Sequence, residues 1–160
     1  MVATTTAAVA TTTSSKKILT NIHKEQTYAH ARAKVWRALT EPALMNRWLM
    51  IPEGFAPEVG TKFVLRASTP QKRWRGFVEC EVLAVEHERL IAYSWVGDPN
   101  VPPMKVTFRL VDDGAGGTRL TLDHEGFAGV GGFFLAKLIL GPGWAKMLRT
   151  RLADVIGGLA

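Results

Sequence analysis

Apolar residues recur along this chain at two intervals, and the interval separates strands from helices. Residues 16–29, KKILTNIHKEQTYA, hold enough β-branched and aromatic positions for a first strand, with imperfect alternation. Residues 31–49, ARAKVWRALTEPALMNRWL, switch to helical spacing. Val35, Trp36 and Leu39 share a stripe that Leu44, Trp48 and Leu49 continue after Glu41-Pro42. Proline suits the first turn of a helix, where its missing N–H has no bond to lose. A second short helix is therefore expected at Pro42, with Thr40 as its N-cap.

Alternation then returns. Residues 53–68 read as strand, turn at Val59-Gly60, and strand, and residues 74–86 and 89–96 add two more. GDPNVPP (97–103) is a loop by composition. Residues 104–113 and 117–126 flank GAGG, the clearest hairpin signal in the chain. Two helical pieces are predicted to finish it. Residues 131–140 are nearly all apolar, and GPG at 141–143 is expected to break them from residues 144–160. In the last piece Trp144, Met147, Leu148, Leu152, Val155, Ile156 and Leu159 fall at steps of three and four, with Lys146, Arg149, Arg151 and Asp154 mainly opposite.

This order predicts an α+β fold. A curved antiparallel sheet of six to seven strands wraps around a long C-terminal helix, with two short helices after the first strand. The space between sheet and helix is either filled by side chains or kept as a ligand cavity.

Strand alternation also sorts the candidate chemistry. In RLTLDHEGF, Leu120, Leu122 and His124 share the apolar, inner face, while Arg119, Asp123 and Glu125 point to solvent. The adjacent His124 and Glu125 are thus no catalytic dyad. Met104, Val106, Phe108 and Leu110 face inward on the neighbouring strand, as do Ile91, Tyr93 and Trp95 on the one beyond. The expected lining of the inner space is Trp48, Tyr93, Trp95, Phe108, His124, Phe127, Trp144 and Met147. Such a set suits a flat apolar ligand oriented by His124 and Tyr93, and equally a plain aromatic core. Catalysis would need a second group beside His124, with Tyr93 or Glu81 as candidates, so catalytic residues stay unassigned and a binding role is favoured over an enzyme.

Composition narrows the classes further. With 160 residues, 47% hydrophobic and 21% charged, the chain fits one soluble domain. A formal charge of +6 raises nucleic acid or anionic lipid as partners. The bases are spread out, however, and the densest group is Lys72, Arg73 and Arg75 around Trp74, read as a solvated loop; no nucleic-acid partner is expected. The four histidines and Cys80 show no paired metal-ligand spacing, so neither metal nor other cofactor is expected. Cys80 alternates with Val78 and Val82 and is expected buried and inert. Residues 1–16 are Ala/Thr-rich without a signal-peptide pattern or a membrane span. They are expected to form a disordered tail on a cytoplasmic domain covering 17–160.

Several ordered stretches together resemble one known family. VWRALTEPALMNRWL, GFAPEVGTKFVL, ERLIAYSWV, VTFRLVDDGAGGTRLTLDHEGF and GWAKMLRTRLADVI look like successive motifs of the Hsp90-ATPase-activator-homologue family, in the START/Bet v 1-like (SRPBCC) superfamily. The resemblance spans about residues 18–160. It implies a helix-grip fold with a deep hydrophobic cavity and an apolar small molecule or lipid as ligand. It also implies two alternatives: a chaperone partner met by Lys72, Arg73 and Arg75, or a polyketide cyclase- or hydrolase-like activity in the same cavity. One departure stands out. AGVGGFFLAKLILGP (128–142) intervenes where the family's last helix usually opens sooner. Its apolar run is expected to pack at the cavity mouth as a lid or filler, with a partner or homodimer surface as the second reading.

Overall fold

A computed structural model describes residues 19–160; the expected tail, residues 1–16, lies outside the described residues. Strand β1 is Leu19–Tyr28. Helices α1 (Arg32–Thr40) and α2 (Pro42–Trp48) follow, then β2 (Ile51–Glu53), β3 (Lys62–Arg66), β4 (Phe77–Glu86), β5 (Leu90–Trp95), β6 (Met104–Asp112) and β7 (Thr118–Ala128). The strands form one seven-stranded sheet in the order β1-β7-β6-β5-β4-β3-β2, antiparallel throughout. Strands β2 to β7 are a meander, and β1 returns to the far edge beside β7. This is the α+β architecture expected from the element order.

Local chemistry explains the joints. Pro42 opens α2 as predicted, but the N-cap is Glu41. Thr40 instead ends α1, where its hydroxyl donates to the Trp36 carbonyl at 2.7 Å. Strand β2 is shorter and earlier than the alternation implied, because Gly54 takes a left-handed φ of 78° and turns the chain away after Glu53. The GAGG hairpin forms with Gly114 and Gly116 at positive φ, and the Asp113 carboxylate accepts from the Ala115 and Gly117 amides.

The expected break at 141–143 does not occur. Gly129–Phe134, Leu135–Leu140, Gly141–Lys146, Met147–Arg151 and Leu152–Gly157 wind as one uninterrupted helix, α3, whose second and fourth segments are π-helical. A proline inside a regular α-helix collides with the carbonyl four residues back. Here the wider π turn comes just before it: the Gly141 amide bonds to the Ala136 carbonyl, five residues back. A side chain at 141 would place its Cβ 2.6 Å from that oxygen, so the turn depends on glycine.

The core lies between the inner face of the sheet, α1, α2 and the second half of α3. Of the seven helical residues that spacing predicted, Trp144, Leu148, Leu152, Val155 and Ile156 are buried, while Met147 and Leu159 are half-buried against the core. Edge strand β1 is tied to α3 by the Tyr28 hydroxyl, which donates to the Leu148 carbonyl at 2.6 Å. Burial raises the Tyr28 pKa, so the hydroxyl keeps the proton this bond needs.

Candidate ligand site

The eight sequence-predicted residues converge, and seven of them are buried; Met147 is half-buried at the edge of the core. Strand pairing explains the grouping. Tyr93 faces Val106, and Val106 faces His124, so β5, β6 and β7 present these side chains in register on one face. The outer face takes the charges as alternation predicted. Glu125 pairs with Lys105 at 3.5 Å, while Asp123 meets His23 at 2.6 Å and Arg109 at 3.3 Å. Glu125 and His124 are therefore on opposite sides of the sheet.

One irregularity brings Phe127 inward. Strict alternation from His124 would send residue 127 outward. Gly126 has a φ of 103°, and the pairing with β1 slips across it, leaving a bulge in β7. His124 and Phe127 consequently lie side by side with ring centroids 4.7 Å apart. Trp95 stands edge-on to His124 at 5.2 Å and Trp144 at 6.1 Å. The aromatic layer continues from Trp144 to Phe108, and from Phe108 to Trp48 and Tyr93. Tyr93 meets Phe63, a residue that sequence reasoning missed although it alternates with buried Leu65 on β3.

His124 is wholly buried, and only one of its nitrogens is satisfied. The Trp144 indole N–H donates to Nδ1 at 3.0 Å. An imidazole that accepts at Nδ1 while neutral must carry its proton on Nε2. That Nε2 has no hydrogen-bond partner and is the single unsatisfied buried side-chain polar atom among the described residues. Burial drives the His124 pKa down to about 3, so the ring stays neutral in ordinary buffers. It is a donor looking into a ring of aromatic side chains.

Among the described residues no acid or base is hydrogen-bonded to it. Tyr93 is two strand spacings away, roughly 10 Å along the sheet, and burial keeps its hydroxyl protonated. Glu81, the other candidate, sits on the outer face, where its backbone N–H donates to Ser94 Oγ. Among the described residues no three His, Cys, Asp or Glu side chains gather to hold a metal, and no helix is long and apolar enough to cross a membrane.

Among the eight, the rings of Trp48, Tyr93, Trp95, Phe108, His124, Phe127 and Trp144 are in contact through a continuous chain of neighbours. Two depressions among the described residues lie elsewhere. One of about 480 Å³ crosses the outer face of β2–β5 beside Glu53, Lys62, Glu79 and Glu81. The other, about 360 Å³, opens between β1 and α3. The basic loop is also partly spoken for. Arg75 donates to the carbonyls of Val96 and Gly97 and stacks on Phe77, while the Trp74 indole donates to Gly97, so both fasten the loop to the end of β5. Lys72 and Arg73 stay exposed. Cys80 is buried with its thiol pKa raised by burial, which keeps it unreactive.

Known proteins agree with this architecture. The crystal structure of MLL2253 from Mesorhizobium loti superposes with a TM-score of 0.72 at 29% identity, covering 88% of this chain and 99% of that one. CalU16 from Micromonospora echinospora gives 0.68 at 29% identity, with 86% and 76% covered. BH1534 from Bacillus halodurans gives 0.68 at 24% identity, with 86% and 96% covered, a likeness of fold alone. No curated protein matches the sequence. The sequence profile of the Activator of Hsp90 ATPase homolog 1-like protein family matches residues 29–157, and the chain belongs to that family.

Proposed function

We propose that this chain binds a flat apolar or aromatic small molecule between the sheet and α3, with His124 as the polar anchor. The observation that carries the reading is the orphaned Nε2–H. A buried donor without a partner costs about 1–3 kcal/mol. A ligand carbonyl or hydroxyl at that nitrogen recovers the cost, while Trp95, Phe127 and Trp144 supply the faces against which the ligand's rings pack. The lining rings touch one another, so admission of the ligand moves some of them, and Met147 at the rim is the one of the eight that is only half-buried.

The pKa of His124 favours binding over catalysis. A ring that protonates only near pH 3 is a poor general base at neutral pH, and a cyclase- or hydrolase-like step would also need the second group that the inner face does not place beside it. A chaperone-binding role is the second reading. It draws on the family and on the exposed Lys72 and Arg73, with Arg75 held in place by the Val96 and Gly97 carbonyls at the end of β5.

Tryptophan fluorescence during titration with fatty acids, polycyclic aromatics and aromatic ketones tests the binding reading. Saturable quenching is expected. His124→Phe should weaken ketones about five- to tenfold, the worth of one hydrogen bond, and leave the matching hydrocarbons unchanged. An absence of saturable binding, or equal losses for ketone and hydrocarbon, would overturn it.

A further inference from the structure

The first half of α3 is packed inside out. Toward the sheet it turns Gly132, Ala136 and Gly141, with Leu135 and Leu140 half-buried. Toward water it turns Val130, Phe133, Phe134, Leu138 and Ile139, each with between 45% and 74% of its surface exposed. The small residues have a purpose, since a Cβ on Gly132 would sit 3.1 Å from the Phe127 backbone. The large ones leave about half or more of their surface uncovered in the isolated fold. Contiguous apolar side chains on a folded surface mark an interface, and of the run expected at the cavity mouth Phe133, Phe134, Leu138 and Ile139 are exposed while Leu135 and Leu140 pack against the core.

Charge identifies what meets it. From Gly126 to Ala153 there is no aspartate or glutamate, whereas Lys137, Lys146, Arg149 and Arg151 are all present and exposed. Beside the apolar face, the depression of about 360 Å³ between α3 and β1 is lined by Asn21, His23, Lys24 and Lys137. His23 is balanced by Asp123 and Glu25, but neither Lys24 nor Lys137 forms an ion pair among the described residues. A second copy of the chain is a poor fit, because a two-fold contact would set this basic rim against itself. An apolar helix face rimmed by lysine is instead the composition that settles into the interface of an anionic bilayer.

We propose that the first half of α3 docks the protein on an anionic lipid surface, with Phe133, Phe134, Leu138 and Ile139 in the acyl boundary and Lys24 and Lys137 on lipid phosphates. The proposal stands on the outer side of α3 and is independent of the His124 reading.

Co-sedimentation of the full chain with vesicles tests it, using phosphatidylcholine alone or mixed with phosphatidylglycerol, at low and high salt. Binding is expected on the mixed vesicles and is weakened by salt. Phe134→Ser/Leu138→Ser should lower partitioning at least tenfold with circular dichroism unchanged, since both side chains are exposed. Lys24→Gln/Lys137→Gln should remove the preference for phosphatidylglycerol while leaving the apolar face intact. No binding to either vesicle, equal binding to both, or a dimer by light scattering that Phe134→Ser/Leu138→Ser dissociates would each overturn the proposal.

Discussion

The two halves of α3 solve opposite problems with the same backbone. After Pro142 the helix buries Trp144, Leu148, Leu152, Val155 and Ile156 and exposes Lys146, Arg149 and Arg151, the ordinary amphipathic arrangement. Before Pro142 it buries Ala136 and Gly141, half-buries Leu135 and Leu140, and exposes Phe133, Phe134, Leu138 and Ile139. The second half is held by what it buries. The first half is held by close backbone approach to β1 and β7, and its bulk is spent on the outside. Hydrophobicity alone therefore does not say where a side chain goes. The size of its neighbours on the helix decides which face can lie against the sheet.

Substitutions on either side of Pro142 should separate the halves. Trp144→Ala removes a fully buried ring and leaves His124 with neither nitrogen bonded, so urea unfolding should show a loss of about 3–5 kcal/mol. A loss under about 1 kcal/mol would mean the second half is not the anchor.

Acid should act next most strongly, again through the second half. His124 stays neutral in the fold down to about pH 3, while the unfolded chain gains its proton near pH 6.5. The unfolded state then binds more protons between these values, and stability falls as pH falls through that window. By pH 5 this group alone costs about 2 kcal/mol. His23 acts in the opposite sense, since its hydrogen bond to Asp123 raises its pKa, but it is exposed and weakly coupled to stability. Chemical denaturation of His124→Phe from pH 7 to pH 5 should show a flatter profile than the parent; an unchanged slope would remove His124 as its source.

The smallest effect is expected in the first half. Leu138→Ala should shift stability by no more than about 0.5 kcal/mol, because the side chain is exposed. A loss near that of Trp144→Ala would erase the distinction between the halves.

Much of this was legible from period and spacing. Alternation assigned the inner face correctly on β6 and β7, including His124 inward and Glu125 outward, because their faces differ sharply in polarity, and on β5 by the bulkier stripe of Ile91, Tyr93 and Trp95. Phe127 was placed inward too, yet the rule used would have sent it out. Its position depends on the Gly126 bulge, which period-two counting does not see. The expected break at GPG followed from the collision proline makes in an α-helix, and the π turn before it removes that collision. Thr40 was read as a cap from residue type, whereas its hydroxyl found the carbonyl four residues back. The outward apolar run was the hardest to foresee. Its direction is set by Gly132 and Ala136, whose importance lies in having almost no side chain.

The π-helical segments carry one more consequence, for the line that the helix draws through the molecule. Residues 132, 136, 140, 144, 148, 152 and 156 are all buried or half-buried, and residues 130, 134, 138, 142, 146, 150, 154 and 158 are all exposed. A strict step of four should spiral around a helix of about 3.6 residues per turn. Two stretches of wider winding take up the difference, so both rows run nearly parallel to the axis. Val130, Phe134, Leu138 and Pro142 thus form a straight, greasy keel that passes into Lys146, Thr150 and Asp154 along a single ridge.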